Sequence, residues 1–339
     1  MSKPLILHTD PVRYGQAPWT EMEKIAEVVH IGQYSREQFI ADLHGKYSNV
    51  VAIARGYLTG SKVGRFDEDL VSHFPPTLKY IAHQGAGYDQ IDIEPLTKRG
   101  IQVSHCPDIV NASTADSNLF LLLGSMRNFE AGRRQLVAGN WPAGGFGAGV
   151  KEGINPTRKV LGIIAMGRIG RAFRDRCVPL GFEKIIYYNR SRLPAELEKD
   201  SVFVSSIEEL VAQADVISIN CPLNKATHHL ISDELISKMK DGVIIVNTAR
   251  GAIIDEQSLI KHLKSGKVGA AGLDVFENEP RPPKELLELP NVMALPHMGT
   301  HAVQTVFDME NWVIENVKSG LTTGKVISLV PEQQGVLDV

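Results

Sequence analysis

The chain has 339 residues, enough for two domains with substantial cores. Its 43% hydrophobic and 22% charged residues suit an ordinary globular protein, and a net charge of -3 gives no electrostatic footprint for nucleic acid or an anionic membrane. No apolar run approaches the roughly 18 residues of a membrane span, and the opening MSKPLILHTD lacks a secretory pattern, so a cytoplasmic location is expected.

From the N-terminus, short apolar runs (5–7, 50–54, 78–82 and 101–104) alternate with charged, helix-like stretches and suggest a first set of βα units. A long apolar segment, Ala112 to Val137, reads as a helix joining two domains. The Gly- and Pro-rich AGNWPAGGFGAGVKEGINPTR after it reads as a loop or arm. Six further strands follow, in KVLGIIA, KIIYYN, DVISIN, GVIIVNTA, VGAAGLDV and NVMALP, with helical segments between them. This alternation predicts a doubly wound, mostly parallel sheet. Val303, Val306, Met309, Val313 and Val317 then mark one face of a helix over 300–318 that can carry the chain back to the first domain.

The second set opens on VLGIIAMGRIGRAF, residues 160–173, in which Ala165 stands where the first glycine of G-x-G-x-x-G would be. The stretch follows a strand, opens a helix and precedes a second strand, which is the context of a dinucleotide turn. Gly167 permits close approach of a pyrophosphate, Gly170 permits the helix to pack on the sheet, and the helix N-terminus offers N–H groups and positive dipole. The second strand ends in Tyr188-Asn-Arg-Ser-Arg192. An NAD site usually carries an acid there to bind the ribose hydroxyls; here Arg190 and Arg192 can bond an additional phosphate, with Asn189 and Ser191 as neutral partners. NADP(H) is therefore expected over NAD(H).

VNTARG, GLDVFENEP and LPHMGTH each sit at the C-terminal end of a predicted strand, the edge at which open α/β sheets bind ligands. One Arg, one Glu and one His thereby converge. Arg250 can grip a carboxylate and polarise a carbonyl, His297 can donate a proton, and Glu279 can set the tautomer of His297 and favour its protonated form. His297 and His301 have no third ligand, and His228-His229 reads as a surface or packing pair, so no metal is expected. Cys106, Cys177 and Cys221 form no C-x-x-C or disulfide framework and read as small buried hydrophobes.

The ordered set HQGAGYDQID, AMGRIG, NTARG, GLDVFENEP and PHMGTH resembles the D-isomer-specific 2-hydroxyacid dehydrogenases over nearly the whole chain, and within that family the fungal glyoxylate and hydroxypyruvate reductases. The resemblance implies two Rossmann-like lobes with doubly wound parallel sheets. The substrate-binding lobe, flavodoxin-like, is discontinuous (1–113 and 302–339), the NADP-binding lobe spans 114–301, and the active site lies in the cleft between them. It implies Arg250, Glu279 and His297 as catalytic trio, and the backbone of Gly85-Ala86-Gly87 as receiver of the substrate carboxylate, with Arg250 and His297 also touching substrate. Cofactor contacts are implied for Met166, Gly167, Arg168, Ile169 and Gly170, for the 189–192 stretch, and for Cys221, Thr227, Thr248, Ala249, Thr114 and Gly299, with Asp274 facing the nicotinamide amide.

The implied reaction is NADPH-dependent reduction of a small 2-keto acid: glyoxylate to glycolate first, hydroxypyruvate to D-glycerate second. The implied assembly is a homodimer paired through the cofactor lobes. Tyr57 and Trp141 are candidates to shape the pocket beyond the carboxylate. A dehydrogenase for a bulkier acid such as D-mandelate is the alternative enzyme; an NADP-sensing binding protein is the alternative of another class.

Overall fold

The computed structural model describes residues 3–32, 34–56, 59 and 62–337. The chain forms two units, one of residues 1–110 with 301–339 and one of residues 111–300. Both are built on wholly parallel sheets with helical crossovers, so the α/β doubly wound architecture and the discontinuous first unit are observed.

In the first unit, β1 (Leu5–His8), β2 (Glu27–His30), β3 (Val50–Arg55), β4 (Tyr80–His83) and β5 (Gln102–Ser104) are ordered β2-β1-β3-β4-β5. This is the flavodoxin-type winding, whose direction reverses between β1 and β3. Strand β2, EVVH, escapes the sequence pattern because it is an edge strand with partly exposed residues. The returning helix runs Val303–Thr323, beyond the expected end at Lys318, and stops where Gly324 takes φ 78°. Val306, Met309, Val313 and Val317 are buried along it as expected, whereas Val303 is exposed. Near its far end Gly320 lies against Tyr80 of β4, so closely that a Cβ would sit 2.8 Å from the ring.

In the second unit, β6 (Val160–Ile164), β7 (Lys184–Tyr188), β8 (Val202–Phe203), β9 (Val216–Ile219), β10 (Val243–Asn247), β11 (Val268–Leu273) and β12 (Val292–Ala294) are ordered β12-β11-β10-β9-β6-β7-β8. Six of these are the expected strands; β8 has two residues, too few to leave a pattern. Both faces are packed, which is why the strands read as continuous apolar runs. Ile217, Ile219, Val243 and Ile245 enter one core and Val216, Ile244 and Val246 the other, as the period-2 alternation of strands requires. The sheet reverses direction between β6 and β9, where ligands bind in this winding.

The single helix expected over 112–137 is two helices, Asn111–Met126 and Phe129–Val137. They part at Asn128, which takes φ 54° and whose amide donates to the Lys151 carbonyl at 3.0 Å. Asn is among the few side chains that enter this left-handed region at low cost. The following arm contains a short helix, Trp141–Gly144, and a 3-10 turn, Phe146–Gly149, neither with a buried residue. Among the described residues no helix is long and apolar enough to cross a membrane, and no group of three or more His, Cys, Asp or Glu is placed to hold a metal ion.

Candidate active site

The glycine turn begins where β6 ends. Ala165 N–H donates to Tyr188 O at 2.9 Å, and the residue has φ 68°, a conformation natural to glycine and strained for alanine. The missing glycine is thus a backbone cost, and the turn still forms. Gly170 is required, because a Cβ there would lie 2.6 Å from the Ala165 carbonyl oxygen. At Gly167 a Cβ would meet nothing within 4 Å, so this surface is open. Gly167 also starts the helix Arg168–Cys177 without a side-chain cap. An uncapped helix end beside an open surface suits a phosphate. Ala165→Gly should raise stability by roughly 0.5–1 kcal/mol, the relief of φ exceeding the added chain entropy. A thermal melt in which this variant unfolds earlier than the parent would contradict that balance.

At the end of β7 the four expected cofactor residues separate by their surroundings. Asn189 Oδ1 accepts the Met166 N–H at 2.7 Å, so this side chain braces the glycine turn. Arg192 makes a two-pronged pair with Glu198, both bonds 2.8 Å, and that carboxyl is held below its ordinary range by the guanidinium. Arg190 and Ser191 are exposed.

Strand β10 delivers the arginine. Asn247, fully buried, donates from Nδ2 to the Arg250 carbonyl at 2.8 Å and accepts the Ala249 N–H at 2.9 Å, closing a compact loop. Sequence reasoning overlooked Asn247, although an Asx residue at a strand end is a turn signal in its own right. Arg250 Nη1 donates to the Ala249 carbonyl at 2.7 Å. Thr248 Oγ1 is buried and, among the described residues, has no hydrogen-bond partner, a polar atom suited to a ligand. Gly251 presses on the next loop so closely that a Cβ would fall 1.8 Å from the Phe276 carbonyl carbon and 2.3 Å from Glu277 N. Glu256 Oε1 accepts the Glu277 N–H at 2.8 Å across the same junction.

The loop so held carries Glu279. Its Oε1 accepts the Phe276 N–H at 3.0 Å, and its Oε2 stands 2.7 Å from His297 Nδ1. A carboxylate only accepts, so Nδ1 carries a proton and Nε2 is turned away from the pair. His297 takes φ 54° and donates its N–H to the Asp274 carbonyl at 2.8 Å. Asp274 is 1% exposed; its oxygens accept the N–H groups of Met298 at 2.6 Å and Gly299 at 2.7 Å, and burial pushes its carboxyl above the ordinary range. Asp274 therefore shapes the turn that holds His297, and Thr114 lies beside Gly299, 3.5 Å from where a Cβ would be.

Thr227 organises its own loop, donating to Pro222 O at 2.7 Å and accepting the Asn224 N–H at 2.8 Å. Cys221 is buried, which pushes its thiol up to about 11. Ala86 and Gly87 belong to the first unit, in the turn that follows β4. Trp141 is 57% exposed on the arm. Tyr57 lies outside the described residues.

Fold and side chains together define a dinucleotide-binding α/β protein with an Arg, a paired Glu–His and a buried Asp at the C-terminal edge of its larger sheet. Residues 119–299 match the family model of the D-isomer specific 2-hydroxyacid dehydrogenase NAD binding domain. The chain is 49% identical to glyoxylate reductase 1 of Saccharomyces cerevisiae over 336 residues, covering 98% of this chain and 96% of that protein. It is 44% identical to 4-methyl-2-oxopentanoate reductase A of Aspergillus oryzae over 334 residues, covering 98% and 99%. The crystal structure of a glyoxylate reductase from Paecilomyes thermophila superimposes with a TM-score of 0.93 at 40% identity, covering 98% of this chain and all of that one. The chain belongs to the D-isomer-specific 2-hydroxyacid dehydrogenases, oxidoreductases acting on CH–OH donors with an NAD(P)-binding Rossmann domain.

Proposed function

We propose that the protein is an NADPH-dependent reductase of small 2-keto acids, with glyoxylate preferred and hydroxypyruvate second. The observation that carries the proposal is the Glu279–His297 pair at 2.7 Å on a loop locked to the Arg250 loop. Bound NADPH supplies the hydride to the substrate carbonyl carbon. His297 supplies the proton to the carbonyl oxygen from Nε2, while Glu279, accepting from Nδ1, keeps the ring oriented and stabilises its charge. Arg250 grips the carboxylate and polarises the carbonyl with a fork that lysine cannot reproduce. The Ala86 and Gly87 backbone receives the carboxylate. Gly167, Arg168, Ile169 and Gly170 hold the pyrophosphate, Met166 and the loops carrying Cys221, Thr227, Thr248 and Ala249 line the cofactor, and Thr114, Asp274 and Gly299 lie at its nicotinamide end.

The absence of an acid after Tyr188 and the exposed Arg190 support NADPH over NADH. Arg192, already paired with Glu198, is the lesser contact. Arg190→Ala should weaken NADPH by about ten- to a hundredfold, the worth of a charge-assisted bond, and leave NADH within about twofold. Equal weakening of both, measured by fluorescence titration, would remove Arg190 from the phosphate site.

Turnover is the test of the activity itself. Glyoxylate added to purified protein and NADPH should deplete the cofactor continuously and yield glycolate, whereas a sensor of NADP would leave its absorbance at the baseline rate. A homodimer formed through the second unit is supported by Phe120, Phe129, Leu136, Val137, Trp141 and Phe146, all large, apolar and exposed. Sedimentation at micromolar concentration checks it, with twice the chain mass expected. The cytoplasm is the proposed location.

A further inference from the structure

The Gly85–Gly87 loop has every carbonyl oxygen tied down. Cys106 N–H donates to Gly85 O at 2.8 Å, His105 Nδ1–H donates to Ala86 O at 3.0 Å, and His83 Nε2–H donates to Gly87 O at 3.0 Å. Among the described residues no group accepts from the N–H of Ala86, Gly87 or Tyr88. In a planar trans peptide the hydrogen points opposite the oxygen of the preceding residue, so the bonds to Gly85 O, Ala86 O and Gly87 O orient the N–H groups of Ala86, Gly87 and Tyr88 in turn.

The proton on His83 Nε2 has its own cause. Arg55, fully buried at the end of β3, sets Nη1 3.1 Å from His83 Nδ1 and Nη2 2.9 Å from Gln90 Oε1, with its guanidinium over the Phe66 ring. Burial lowers Arg55 to about 10, with Asp10 and Asp89 opposing through space, so it stays charged near neutrality. A guanidinium can only donate, so Nδ1 must accept and the ring proton is left on Nε2, facing Gly87. The ring lies so near the loop that a Cβ on Gly85 would be 2.7 Å from Nε2.

We propose that His105, which fixes the Ala86–Gly87 peptide, and Arg55 with His83, which fix the Gly87–Tyr88 peptide, are positioning residues that, with the Cys106 N–H on Gly85 O, make the N–H groups of Ala86, Gly87 and Tyr88 a preformed receptor for a carboxylate. The proposal rests on the reading of that loop as the carboxylate site. A preformed row of donors binds an anion without reorienting, and the buried charge behind His83 adds a favourable potential. Orientation by a relay of this kind affects substrate affinity more than the chemical step.

His83→Leu should raise KM for glyoxylate roughly tenfold, the worth of one bond to a charged group, with kcat at saturation and KM for NADPH within about twofold. His83→Gln, whose amide can donate where Nε2 stood, should recover most of the loss. His105→Phe should raise KM independently through Ala86, and Ala86→Pro deletes one of the N–H groups outright. If Ala86→Pro raises KM while His83→Leu and His105→Phe do not, the relay is overturned and the carboxylate reading stands. An unchanged KM in Ala86→Pro would overturn the reading and the relay with it. Should His83→Leu not fold, His83→Gln near the parent KM with His105→Phe raised supports the relay; parent values in both overturn it.

Discussion

His297→Asn should lower kcat for keto-acid reduction by about a thousandfold while NADPH affinity stays within twofold. General acid catalysis by a placed side chain is worth about 10² to 10⁴ in rate. His297, oriented by Glu279, is the group assigned to supply the proton. Asn is the appropriate replacement because the backbone at 297 has φ 54°, where Asn is tolerated and most side chains are not. The variant therefore removes the proton donor without adding backbone strain. The carbonyl can still be polarised by Arg250, so residual turnover should exceed background. A loss of less than about tenfold, measured with NADPH and substrate both saturating, would mean that another group or water donates the proton.

Gly251→Ala should cost about 10² or more in kcat/KM and roughly 2–4 kcal/mol in stability. The atoms a Cβ would strike at 1.8 to 2.3 Å are backbone of Phe276 and Glu277, which cannot swing aside as a side chain could. The two loops must part by more than an ångström. That junction fixes Arg250 relative to Glu279, and through Glu279 to His297, and a displacement of about 1 Å is enough to lose two decades of rate. The reciprocal bonds between Glu256 and Glu277, 2.8 and 3.2 Å, would be stretched by the same movement. Parent-like melting and parent-like kcat/KM in this variant would show that the loops are not coupled there.

Much of the fold was legible because both sheets are buried on both faces, which writes ten strands and the returning helix as apolar runs or stripes. The edge strand β2 and the two-residue β8 left no such run. The break at Asn128 was hidden inside an apolar stretch, and what decides it is one residue's backbone angle. At the site, Arg250, Glu279 and His297 could be picked out because they end strands in succession. Their coupling could not be, since it depends on Gly251 touching a peptide 25 residues away in sequence. The same holds for Arg192, whose charge reads as available until Glu198 is seen to hold it, and for Arg55, which is 28 positions from His83. Composition shows that an arginine is present; only packing shows what its charge is used for.

The most direct test of the account is a comparison of kcat/KM for NADPH-dependent reduction of glyoxylate, hydroxypyruvate, 4-methyl-2-oxopentanoate and benzoylformate by the purified protein, repeated with NADH. Glyoxylate should be reduced most efficiently and hydroxypyruvate next, with NADPH favoured over NADH by about tenfold or more, the worth of a charge-assisted phosphate contact. A higher kcat/KM for benzoylformate or 4-methyl-2-oxopentanoate would assign the pocket to a bulkier acid, and oxidation of neither cofactor by any of the four would contradict the assignment of Arg250, Glu279 and His297 to keto-acid reduction.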